Sequence, residues 1–113
     1  MISIYHNPRC SKSRQGLALL EESGKKFEII RYLEDKLSSH KLESIISKLG
    51  IKPIELIRKN EAIWKSDYKS KKLSDIEIIE AMVTNPKLIE RPIVVNETKA
   101  VVGRPPETIL SII

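Results

Sequence analysis

The chain has 113 residues, enough for one domain with a single buried core. Its one cysteine excludes an internal disulfide framework, so nothing in the composition calls for an oxidising compartment. Twenty Lys and Arg against 15 Asp and Glu leave a net charge of +5, which favours anionic partners, but the few aromatics are not interleaved with basic residues and nucleic acid binding is not indicated.

The elements follow in chain order. Ile2, Ile4 and Tyr5 predict a short apolar strand, and Asn7-Pro8 breaks it, because Pro8 donates no hydrogen bond and keeps Asn7 out of helical geometry. From Ser11 to Glu22, Leu17, Leu20 and Glu21 stand at helical spacing, with Gly24 just past the end. Phe27 to Tyr32 predicts a second strand, and strand–helix–strand at this length implies a right-handed crossover and a parallel pair. Ser38-Ser39 offers caps for a helix carrying Leu42, Ile45, Ile46 and Leu49 and ended by Gly50, and Pro53 opens another short helical piece. Trp64 to Lys72 is lysine-rich and predicts a solvated face. Ser74-Asp75-Ile76-Glu77 is a capping box for a helix whose inward stripe is expected to be Ile76, Ile79, Met82 and Val83. Pro92 to Val95 and Ala100 to Val102 flank Asn96–Lys99 as a hairpin, and Pro105-Pro106 opens a last helix. No stretch approaches membrane-spanning length and no secretory leader is apparent, so the expected location is cytoplasmic.

One stretch carries chemistry. Cys10 falls at the mouth of the first helix, where unpaired backbone N–H groups and the helix dipole favour negative charge. Arg9, Lys12 and Arg14 add positive charge, and the flanks Ser11 and Ser13 are polar, unlike those of a buried structural cysteine. These effects lower a thiol pKa, and the thiolate is the nucleophile. The same N–H groups suit an oxyanion. His6 and His40 show no metal-ligand spacing with Cys10, and no metal is implied.

His6-x-x-x-Cys10-x-x-x-Arg14 behind a strand, with Asn7-Pro8 inside it, closely resembles the active-site loop of the glutaredoxin-coupled arsenate reductase family. The resemblance runs along essentially the whole chain, through Tyr32-Leu33-Glu34, Leu56 to Asn60, Asn85 to Val95 and Gly103 to Glu107, and is nearest a short, reductase-like bacterial branch. It implies a thioredoxin-like α/β sandwich in a single domain, with an all-helical insertion from about 38 to 85. Arg91-Pro92 is then expected as a cis peptide facing the cysteine loop. Arg58, Arg91 and Arg104 would bind the substrate oxyanion, Cys10 would be the catalytic nucleophile, and His6 would orient the loop, supported by Asn7, Ser11, Lys12, Ser13 and Arg14. Glutathione would be the co-substrate, with no tightly bound cofactor, and glutaredoxin the protein partner. Ser13 stands where a second cysteine would allow an internal disulfide, so the adduct of Cys10 with arsenate would be resolved by an external thiol. Two alternatives remain open: an Spx-type transcriptional regulator that binds RNA polymerase, and a thiol-dependent reductase of another substrate.

Overall fold

The computed structural model describes every residue from Met1 to Ile113. The chain divides into two compact units, one made of Met1–Asp35 with Arg91–Ile113 and the other of Lys36–Glu90.

The first unit holds the sheet. Strand β1 (Ile2–Tyr5) leads through the cysteine loop to helix α1 (Ser11–Ser23) and then to β2 (Phe27–Ile30). Strands β3 (Ile93–Val95) and β4 (Ala100–Val102) form the hairpin, in which Asn96 Oδ1 accepts the N–H groups of Thr98 and Lys99. The sheet order is β2-β1-β3-β4, with β1 and β2 parallel and the other pairs antiparallel. With helices packed on it, this is the thioredoxin-like fold. Its core gathers Ile4, Leu20, Val94 and Ile109, all fully buried.

β2 stops at Ile30, two residues short of expectation, because the Arg31 carbonyl turns the chain by accepting the N–H groups of Glu34 and Asp35. The last helix is a 3₁₀ segment, Pro106–Ser111. Arg91-Pro92 is cis, as expected, and Arg104-Pro105 is a second cis peptide that nothing in the sequence singled out. The Pro92 ring is approached from two directions by bare backbone: a Cβ on Gly16 or on Gly103 would meet its Cγ at 2.9 Å. No residue larger than glycine fits at either place without displacing Pro92.

The second unit is helical: α2 (Ser39–Leu49), α3 (Ala62–Asp67) and α4 (Asp75–Thr84), with 3₁₀ turns at Pro53–Leu56 and Pro86–Leu88. Ser38 and Ser74 cap α2 and α4, and Glu77 Oε1 accepts the Ser74 N–H to complete the capping box. Of the expected inward stripe of α4, Ile79 and Met82 are buried, whereas Val83 is only partly so and Ile76 is not. Ile78, Ile79, Ala81 and Met82 are buried while Ile76 is 72% exposed. Two residues advance a helix by about 200°, so Ile76 cannot share a face with Ile78. The lysine-rich stretch is also more structured than its composition suggests: Trp64 is buried in α3 and stacks on Tyr68 at 5.8 Å, although the lysines themselves stay exposed. No helix is long and apolar enough to cross a membrane.

Candidate active site

Cys10 occupies the N-cap of α1 in extended backbone geometry, with its thiol partly exposed. A tight turn presents it: Cys10 N–H donates to the Asn7 carbonyl at 3.0 Å, and Arg9 N–H donates to Asn7 Oδ1 at 3.0 Å. Arg14 closes the loop from the helix side by donating from Nη1 to the Pro8 carbonyl at 2.9 Å. Asn7 is buried in this role, whereas Arg9, Ser11, Lys12 and Arg14 are exposed.

Burial pushes the Cys10 thiol up, but the Ser13 N–H, the Arg91 guanidinium and the Lys12 N–H together bring it below its ordinary value. A thiolate at a helix N-terminus with a guanidinium beside it is the form expected to attack an electrophile. Arg104 adds a second guanidinium, with Nη2 3.5 Å from Sγ. Its Nε donates to the Arg91 carbonyl at 2.8 Å, which ties the two arginine segments together. Two planar cations beside a thiolate are suited to gripping a tetrahedral oxyanion.

His6 and Ser13 lie beneath the loop. His6 Nδ1 is 2.6 Å from Ser13 Oγ, and Oγ also accepts the Asn7 N–H at 3.0 Å. Ser13 is fully buried, so its own proton needs an acceptor, and Nδ1 is the one within reach. This assigns the ring proton to Nε2. Burial, followed by the charges of Arg31 and Arg14, holds the His6 pKa below its usual value against a smaller opposing effect of the Ser13 backbone. His6 is thus a neutral bracket for the loop.

The structure brings Cys10, His6, Asn7, Ser13, Arg14, Arg91 and Arg104 together in the first unit. Arg58 belongs to the second unit, where it donates from Nη1 to Glu90 Oε1 at 3.3 Å and has Glu61 Oε2 3.6 Å from Nε. Sequence reasoning missed the burial of Ser13, although the signal was present: Ser13, Gly16 and Leu20 recur at helical spacing, and all three are buried. It also missed Arg31, for which the sequence carried no signal.

Comparison with known proteins supplies the remaining context. The pattern of the ArsC family matches residues 5–112. Arsenate reductase of Haemophilus influenzae is 46% identical over 99% of this chain and 98% of its own length. Arsenate reductase of Neisseria meningitidis serogroup A is 39% identical over 99% of this chain and 97% of its own. A solved arsenate reductase from Vibrio cholerae superposes with a TM-score of 0.94 at 44% identity, covering 99% of this chain and 97% of that one.

Proposed function

Because the chain belongs to the ArsC family, we propose that it reduces arsenate to arsenite through Cys10, with glutathione and a glutaredoxin as electron donors. The observation that carries the reading is the depressed thiol with Arg104 Nη2 at 3.5 Å and Arg91 beside it. In the first step Sγ forms a bond to arsenic and one As–O bond breaks. That oxygen leaves as water with protons from solvent, and arsenic stays pentavalent. The arginines stabilise charge on the entering and departing oxygens.

The glutathione thiolate then attacks Sγ. An S–S bond forms, and the electron pair of the Sγ–As bond passes to arsenic, which leaves as trivalent arsenite. A glutaredoxin thiolate attacks the glutathione sulfur of the mixed disulfide, taking up the glutathione and returning Cys10 as thiolate. Two thiols are oxidised to one disulfide for each arsenate reduced. The only cysteine in the chain is Cys10, so both thiols come from outside. A cytoplasmic location suits such a cycle, since that compartment keeps thiols reduced.

The test is arsenate-dependent NADPH oxidation in a mixture containing glutathione, glutaredoxin and glutathione reductase. Turnover is expected from the wild type and none from Cys10→Ser, whose hydroxyl is far harder to ionise. A wild-type protein that consumed no NADPH on addition of arsenate would overturn the reading.

A further inference from the structure

The register fixes what stands along one edge of the sheet in the first unit. Tyr5 pairs with Ile30 on one side and Ile93 on the other, and Ile93 pairs with Val102. The segments leaving that edge are therefore, in order, the Arg31 turn, the His6–Cys10 loop, Arg91-Pro92 and Gly103-Arg104. The two arginines beside Sγ lie on the β3–β4 side of the loop. On the opposite, β2 side there is a cavity of about 320 Å³ between the loop and the Arg31 turn. That is at the lower end of the range of about 300–1,000 Å³ for small-molecule pockets.

Its lining has a definite chemistry. Besides His6 to Arg9, the walls are Arg31, Leu33 and Glu34. Residues carrying two guanidinium groups and one carboxylate thus border a small space whose wall is otherwise largely apolar. Arg9, Arg31 and Glu34 take no part in the ion pairs at Met1–Glu97 and around Arg58. Cations and a carboxylate that do not pair with one another complement a ligand bearing both charges, and the α-amino-acid group is the simplest such ligand.

We propose that this cavity binds the α-amino-acid end of glutathione, with its carboxylate on Arg31 and Arg9 and its ammonium on Glu34. The assignment rests on the reading that an external thiol attacks Sγ after arsenate has been bound. Displacement at sulfur is in line, so the incoming sulfur must approach opposite the departing arsenic. With the oxyanion held by arginines on the β3–β4 side, the free approach is from the β2 side, where the cavity lies. Arg31 and Glu34 are on this account determinants of thiol specificity that do not touch the reacting atoms.

The experiment separates thiol recognition from chemistry. Arsenate reduction is measured with glutathione, with N-acetylglutathione and with 2-mercaptoethanol as the first thiol. Arg31→Ala is expected to raise KM for glutathione about tenfold or more, the worth of one charge-assisted hydrogen bond. It should leave KM for 2-mercaptoethanol unchanged. Glu34→Gln should raise KM for glutathione but not for its N-acetyl form, which has no ammonium. Equal KM in wild type and variants, or equal shifts for all three thiols, would overturn the proposal while leaving the reductase reading intact. Were the wild type inactive with every thiol, that reading would fall, and S-methylglutathione would still test the cavity. Amide NMR shifts at residues 31–34 that are lost in Arg31→Ala support it, and their absence in the wild type overturns it.

Discussion

The two units of the chain bury different things. In the second, the buried side chains are apolar: Leu42, Ile45, Ile46, Leu56, Trp64, Ile79, Met82 and Leu88 among them. In the first, an apolar core coexists with three buried polar residues, His6, Asn7 and Ser13, all within one turn and its following helix. A buried polar group costs stability unless it is bonded, and a set of three is kept only where each satisfies another. Here Ser13 Oγ serves both His6 and Asn7, and Asn7 holds Arg9. Apolar burial in the second unit holds a shape, whereas polar burial in the first holds a loop in one position. The arginines differ in the same way. Arg58 is matched by Glu90 and Glu61, while Arg104 directs Nη2 at a sulfur.

That contrast can be broken most decisively at the arginines. Arg104→Ala and Arg91→Ala should each raise the pH midpoint of Cys10 alkylation and lower kcat/KM for arsenate by tenfold or more, at about 1.5–3 kcal/mol per charge-assisted bond. Lys71→Ala removes the same charge from the exposed lysine-rich stretch, so the alkylation midpoint should not move. If Lys71→Ala raised it as far as Arg104→Ala, the cysteine would be responding to overall charge. A second variant comes from the other core. Met82 is fully buried in α4, and Met82→Ala should cost about 2–5 kcal/mol in urea unfolding while leaving the Cys10 midpoint in place.

Legibility in the sequence followed the same division. Caps, glycine stops and apolar periodicity are local, and they placed α1, α2, α4 and the hairpin to within a residue or two. Failures came where a turn's own hydrogen bonds, or packing against another element, decided the outcome. The Arg31 turn ended β2 early, and the buried face of α4 was set by packing that the pattern Ile76, Ile79, Met82, Val83 did not specify. At the site, Cys10 and the His6 loop were legible because a helix mouth and its basic flanks are contiguous in sequence. Arg91 and Arg104 rested on resemblance, since only folding brings residues 81 and 94 positions away to Cys10. The hydrogen bonds of Ser13 were hidden for a further reason: a serine in a helix gives no sign of which partner it takes.

Serines therefore allow a finer comparison. Ser74 caps α4 at the surface of the second unit, and its loss should cost about 0.5–2 kcal/mol, as for other N-caps. Ser13→Ala leaves two buried partners unsatisfied, the Asn7 N–H and His6 Nδ1, and about 1–3 kcal/mol is expected, together with a loosened loop. The discriminating measurement is the Cys10 alkylation midpoint, which should shift in Ser13→Ala and stay fixed in Ser74→Ala. Equal behaviour would mean that Ser13 is only another structural hydroxyl.

The smallest effect expected is a pH dependence of stability from His6. Its pKa in the folded protein lies below the unfolded value of about 6.5, first because the ring is buried and then because Arg31 and Arg14 disfavour a second positive charge. Below pH 6.5 the unfolded chain takes up a proton that the folded one refuses. Stability should therefore begin to fall there, by at most about 1.4 kcal/mol per pH unit for one proton, and level off below the folded pKa. The full contribution is present above pH 6.5. His6→Gln removes the titration while keeping a side chain able to bond Ser13, so its urea midpoint should vary less than that of wild type between pH 7 and pH 5. Below that range the carboxylates titrate and obscure the comparison. Parallel profiles for the two proteins would show that His6 is not held neutral by the fold, and with it would go the assignment of its ring proton to Nε2.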